Sequence, residues 1–284
     1  MRLVLLIALT MLAFAANSIL TRLAVDGGHI DPSGFAIVRV LSGAVVLSML
    51  ITVRGGGLPL FRKERLPGAI SLTVYMIGFS LAYLTLDAGL GALILFGVVQ
   101  ITMFAHAALT GAAPNLRQMT GAGAAFAGLL LVLWPGAGAG TDLPGAALMA
   151  CAGIGWASYT IAGRHAADPL AATSANFVLC LPVMVILLSG TGLNFGVTGI
   201  ALGILCGGLT SGLGYALWYT VLPRITGPTA AVVQLSVPVI ALIAGTVFLG
   251  EALGPAILVA TVLVVGGIGW AVTGQSVQAG RRSR

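Results

Sequence analysis

Charge is what this sequence has least of. Asp, Glu, Lys and Arg together make up 7% of its 284 residues, while 58% are hydrophobic. A soluble domain carries roughly 25% charged residues. So few charges could not cover a soluble surface, so the apolar excess must face lipid. Acid is scarcest: there are seven Asp and Glu, and none lies in the middle of a long apolar run. Cysteine is nearly absent too. Cys151, Cys180 and Cys206 sit singly in apolar runs with no CxxC spacing, which excludes a disulfide or thiolate-metal framework. No metal-ligand cluster or triad spacing appears, and the Gly-rich run 135–140 does not match a phosphate-binding loop. The sequence therefore predicts no enzyme, no cofactor and no metal.

The apolar runs themselves are long. Gly, Pro and charge divide them into ten predicted helices at 3–25, 33–53, 66–86, 90–112, 118–134, 143–163, 170–189, 197–221, 228–249 and 255–274. Each is close to the roughly 20 residues that span a bilayer. Pro67, Pro144, Pro228 and Pro255 fall in first turns, where a missing N–H is harmless. Pro182 and Pro238 lie inside spans and predict kinks. Arg2, the run from Leu3 and Ala13-Phe14-Ala15 imitate a cleaved signal peptide, but the apolar character resumes through Val25, so the segment reads as a span.

Basic residues set the orientation. With ten spans and the N-terminus inside, Arg2, Arg54, Arg62, Lys63, Arg65, Arg117, Arg164, Arg224, Arg281, Arg282 and Arg284 are cytoplasmic, eleven of the thirteen Lys and Arg. The outside loops hold Asp26, Asp31, Asp87, Asp142 and Glu251 instead. The positive-inside bias thus predicts a multi-pass protein of a bacterial inner membrane with both termini cytoplasmic. The formal charge of +6 is spread over loops and tail, so nucleic acid is not an expected partner.

The two halves resemble each other. Phe14-Ala15-Ala16 with Arg22 matches Trp156-Ala157-Ser158 with Arg164, and Val98-Val99-Gln100 matches Val232-Val233-Gln234. Residues 1–138 and 139–284 each hold five spans, and five is odd, so the second half enters the bilayer upside down. Inverted repeats place a substrate site near mid-membrane between the halves. The expected fold is an all-α membrane protein of ten transmembrane helices, as two inverted five-helix repeats around a central cavity.

These patterns, with Gly250-Glu251 closing the ninth span, resemble the EamA-type transporters of the drug/metabolite transporter superfamily, and among them the bacterial aromatic amino-acid exporters. The resemblance implies a cavity lined by helices 1, 3, 4, 6, 8 and 9, with helices 5 and 10 peripheral. One departure is that the first-half stretch corresponding to Gly250-Glu251, Thr110-Gly111-Ala112, has no acid. Small multidrug antiporters of the superfamily exchange protons at a mid-membrane carboxylate, which this chain lacks.

Polar groups inside a membrane need a reason. Gln100 and Gln234 occupy equivalent repeat positions. Their amides suit a zwitterionic amino acid or an interhelical hydrogen bond. Asn17 has the same two readings. Tyr75, Phe79 and Tyr83 are spaced by four and share a helix face, which with Trp156 and Tyr215 offers stacking surface or ordinary packing. Arg22 and Arg39 are the basic residues within spans. Arg22 pairs with Asp26 or snorkels. Arg39, about two turns inside its helix, is a partner for a substrate carboxylate, an outer gate, or a pair with Asp31. His106 is a candidate proton carrier or a packing histidine. Gly199, Gly203 and Gly207 form a small-residue ridge for close packing. The expectation is an exporter working by alternating access on small amphipathic metabolites, foremost aromatic or large apolar amino acids. Its expected partners are that small molecule and the bilayer. Oligomeric state is open, and a monomer suffices. Export of lipophilic cations, or a non-transport role such as lipid scrambling, are the alternatives.

Overall fold

The computed structural model describes residues 2–60, 62–110, 115–133, 142–163, 167–188, 193–224 and 233–282. Among these the elements are helical: α1 (Arg2–Val25), α2 (Pro32–Val53), α3 (Leu66–Ala82, entered by a 3₁₀ turn at Lys63–Arg65), α4 (Ala88–Leu109), α5 (Leu116–Leu133), α6 (Leu143–Gly163) and α7 (Pro169–Leu188). Then follow α8 (Val197–Ile204, Leu205–Leu213, Gly214–Val221), α9 (Ser236–Ala244, Gly245–Leu249) and α10 (Pro255–Arg282). The middle of α8 and the last turn of α9 are π-helical. Seven helices are long and apolar enough to cross a membrane, and α9 and part of α10 are shorter apolar helices.

The chemistry of the ends explains the boundaries. Asp31 precedes Pro32, and its side chain accepts a hydrogen bond from the Gly34 N–H at 2.9 Å, capping α2. Asp168 caps α7 the same way, through the Ala171 N–H at 3.1 Å. Gly250 ends α9 in the left-handed region at φ 70°, where a side chain would be strained. Helix α3 stops at Ala82, four residues before the expected end, and α4 starts at Ala88, two before its expected start. The expected ends at 112, 134 and 189, and the start at 228, lie outside the described residues. Helix α10 continues to Arg282 rather than stopping at 274.

Glycine lets these helices approach. A Cβ at Gly207 would collide with the Arg39 carbonyl and the Ser42 hydroxyl, so the glycine ridge of α8 packs on α2. Helices α5 and α10 pair with each other through Gly121 and Gly267. Helix α6 lies on α3, with Gly155 against the Tyr75 backbone. The core sits among α1, α3, α4, α6 and α8. Large apolar side chains such as Val45, Met49, Ile70, Leu187 and Val262 are exposed on the outside, as a lipid-facing surface requires.

The loops bearing Asp26, Asp31, Asp87, Asp142 and Glu251 gather at one end of the bundle. There an antiparallel bridge joins Ile30 to Phe195, and Asp31 accepts a second hydrogen bond from the Asn194 N–H at 2.8 Å. At the opposite end Arg54, after α2, pairs with Asp168 at the start of α7.

Candidate functional site

Helix α1 brings Phe14, Asn17 and Ser18 to one face, because residues three and four apart are neighbours on a helix. Opposite stand Tyr75 and Phe79 of α3, Leu95 and Phe96 of α4, Trp156 of α6 and Tyr215 of α8. Together they leave a cavity of about 10 Å³, room for no more than about one water molecule. The walls are aromatic. Tyr75 lies 5.0 Å from Trp156 and 5.3 Å from Phe79, and Trp156 lies 5.0 Å from Tyr215, centroid to centroid. Phe14 meets Trp156, Tyr215 and Trp218 edge-on. Each such pair adds about 0.5–1.5 kcal/mol beyond area burial, so the pocket is a rigid cage rather than a loose gap.

Polar groups in the cage are few and directed. The Asn17 side-chain oxygen accepts from Thr210 at 2.6 Å, Ser211 at 3.1 Å and Cys206 at 3.3 Å. All three donors lie in the π-helical stretch of α8, whose wider turn carries them onto one point of α1. Behind Tyr75 lies Arg39, fully buried. Its Nε donates to Ser211 at 3.0 Å and its Nη2 to the Tyr75 hydroxyl at 3.1 Å. The guanidinium also sits over the rings of Phe79 at 4.7 Å and Tyr75 at 5.5 Å. Its Nη1 has no hydrogen-bond partner among the described residues. The ion pairs among them are Arg22 with Asp26 and Asp87, and Arg54 with Asp168. The pairing of Arg39 with Asp31 does not form, because Asp31 is held by Gly34 and Asn194.

The acid-bearing end closes above this cage. Arg22 pairs with Asp26 at 3.2 Å and also donates to the Tyr83 carbonyl at 3.1 Å. Tyr83 stacks edge-on against Phe79 at 4.8 Å and gives its hydroxyl proton to the Ala88 carbonyl at 3.3 Å. It sits at the C-cap of α3, roofing the pocket rather than lining it. Glu251 caps α4, not its own helix: its carboxylate accepts from the Ala88 N–H at 2.6 Å and the Gly89 N–H at 3.3 Å. Anions are favoured there by the helix dipole. Burial raises the Glu251 carboxyl above its ordinary pKa, and the two amides oppose that shift. An open cleft between Arg22, Asp26, Asp87 and Glu251 lies over this latch.

Of the residues singled out in the sequence, Asn17, Tyr75, Phe79, Trp156 and Tyr215 line one pocket. Gln100 and Gln234 are buried but do not line it. Gln100 follows Phe96 by about one turn along α4, away from the acid-bearing end. His106 is exposed near the end of α4, outside the cage. Helix α9 supplies no lining residue here. Ser18, which carries the same two readings as Asn17, lines the pocket beside it, while sequence reasoning missed Leu95 and Phe96 and took Phe14 only as a repeat marker. The spacing of Phe14, Asn17 and Ser18 was the available signal.

The chain is 43% identical to the uncharacterized protein PA1977 of Pseudomonas aeruginosa, over 94% of this chain and 93% of that protein. The EamA-like transporter family model matches residues 143–273. The chain belongs to the EamA-like transporter family. This makes it a multi-pass membrane protein of the drug/metabolite transporter superfamily. A crystal structure of a protein 19% identical superposes with a TM-score of 0.67, covering 94% of this chain and 97% of that one. At that identity the likeness shows the fold alone. It means that the EamA-like chain shares its architecture with a solved protein along nearly its whole length.

Proposed function

We propose that this EamA-like transporter is an exporter of small amphipathic metabolites, foremost those with an aromatic or large apolar side chain, including amino acids of that kind. It sits in a bacterial inner membrane with ten spans and both termini cytoplasmic. Its halves, 1–138 and 139–284, act as inverted repeats that rock around the cage and expose it alternately to either side. The observation that carries this reading is the aromatic cage itself, walled by Phe14, Tyr75, Phe79, Trp156 and Tyr215 from both halves. The rings touch one another in this closed arrangement, so a ligand ring would enter as the halves rock apart, and the buried polar groups behind the wall would fix its orientation. The closed acid-bearing end supports an occluded state: Glu251 of the second half holds α4 of the first. Gln100 and Gln234, buried outside the cage in this arrangement, would reach the substrate only as the halves move. Export of lipophilic cations is disfavoured by Arg39, since a like charge close to the pocket repels them.

The test is uptake of radiolabelled phenylalanine into proteoliposomes, with alanine and a cationic dye in parallel. The expected outcome is saturable uptake of phenylalanine, competed by other large amino acids, and its loss in Tyr75→Ala with membrane insertion intact. Uptake of the dye alone, or full activity in Tyr75→Ala, would overturn the assignment.

A further inference from the structure

We propose that Arg39 makes this pocket an anion site, and that the transported species is an aromatic monocarboxylate recognised through its ring and carboxylate, with no contribution from an ammonium group. This rests on the reading of the aromatic cage as the transport site and names which of its ligands the chemistry selects.

The argument is an inventory of what remains unfilled. A buried arginine in a membrane protein is costly and marks function by default. Arg39 is fully buried, and all seven acids of the chain lie at helix ends or in loops, none of them lining the pocket. Among the described residues its charge is held by a serine, a tyrosine hydroxyl and two ring faces. Guanidinium has five N–H donors and no acceptor, and Nη1 is left over. The Tyr75 hydroxyl accepts from Arg39, so its own proton is the group it has to offer, and the adjacent cation strengthens that donor. The buried Tyr215 hydroxyl lies close to Arg39 and is directed at the Tyr75 hydroxyl. Two unfilled donors, Arg39 Nη1 behind the wall and the Tyr75 hydroxyl in it, therefore stand side by side.

Acceptors are the opposite case. An ammonium group would need them, and the best one in the wall, the Asn17 side-chain oxygen, already takes three hydrogen bonds. A donor-rich corner beside one fixed positive charge fits a carboxylate, and the same charge repels an amine. One cation also sets the count at one negative charge, because a second carboxylate would enter the apolar cage unmatched.

The experiment uses the full chain in proteoliposomes and three probes with one phenylethyl skeleton: 3-phenylpropanoate, phenylalanine and 2-phenylethylamine. Saturable uptake of phenylpropanoate at least equal to that of phenylalanine, with none of the amine, is the expected result. Arg39→Gln is expected to lower phenylpropanoate uptake by roughly 30-fold or more, as removal of a buried charged partner does. Arg39→Lys keeps the charge and should restore part of it. Tyr75→Phe removes only a hydroxyl and should raise KM with the maximal rate little changed, so it carries the test if Arg39→Gln does not fold. Uptake of phenylalanine without phenylpropanoate, uptake of the amine, or wild-type behaviour of Tyr75→Phe and Arg39→Lys together would overturn the carboxylate inference and leave the cage as the transport site. Uptake of none of the three would overturn both.

Discussion

Helices α2 and α7 both begin on an Asp-Pro pair, Asp31-Pro32 and Asp168-Pro169, 137 residues apart, and at the same depth into each helix stand Arg39 and Asn176. Their caps are equivalent, and the two helices pack against each other. Each cap also reaches beyond its own helix: Asp31 to the Asn194 N–H beyond the end of α7, Asp168 to Arg54 at the end of α2. That reciprocity supports the inverted-repeat reading. The eighth residue breaks the symmetry. Arg39 stands behind the aromatic cage, while Asn176 is buried against Gly68 at the start of α3. On the anion-site proposal, the same scaffold position serves ligand chemistry in one half and helix packing in the other. Symmetry of frame therefore does not imply symmetry of site.

The largest effect that would sharpen this contrast is the exchange of one side chain for the other. Arg39→Asn, which makes α2 like α7, should cut transport by about 100-fold, within the roughly 2–5 kcal/mol range for a lost buried charge partner. Asn176→Ala should change initial transport rates by less than about twofold, since a buried interhelical amide is worth roughly 0.5–2 kcal/mol of packing rather than ligand contact. Comparable losses of initial rate in the two variants would erase the distinction. The next effect is steric. Gly207→Ala drives a Cβ into the backbone carbonyl of Arg39, and overpacking of that kind destabilises by about 1–3 kcal/mol. Gly68→Ala meets only the far end of the Asn176 side chain, at 2.5 Å, which can rotate away. Thermal midpoints in detergent should fall clearly for Gly207→Ala and little for Gly68→Ala, and the reverse order would break the comparison. The smallest effect concerns the caps. Asp31→Ala and Asp168→Ala should each lower stability by roughly 0.5–2 kcal/mol. Salt near about 1 M should shrink only the Asp168 effect, because its pair with Arg54 is exposed and screened.

Much of the frame was legible in the sequence because bilayer thickness forces long apolar runs, and most helix positions followed from them. The break between α3 and α4 was legible but its edges were not, since no local signal ends α3 at Ala82 and the cap for α4 comes from Glu251, 163 residues later. The aromatic spacing of α3 correctly brought Tyr75 and Phe79 to one face. The matched Gln100 and Gln234 drew attention for their repetition, but repetition reports the frame and not the pocket. Arg39 stood out as a charge within a span, yet only the packing of Ser211, Tyr75 and Phe79 around it separates an anion site from an ion pair. The donors converging on Asn17 were hidden because a π-helical stretch in α8 shifts every residue after it off the ordinary helical face.

The cap on α4 has a consequence for biogenesis. The ribosome delivers Ala88 and Gly89 to the membrane long before Glu251 exists, so the first amides of α4 must remain hydrated at the bilayer surface while the whole second half is made. That end of α4 acquires its partner only after α9 has inserted. The last segments synthesised thus complete one of the first, and a chain halted before Glu251 would carry all of α4 with its leading turn unfinished.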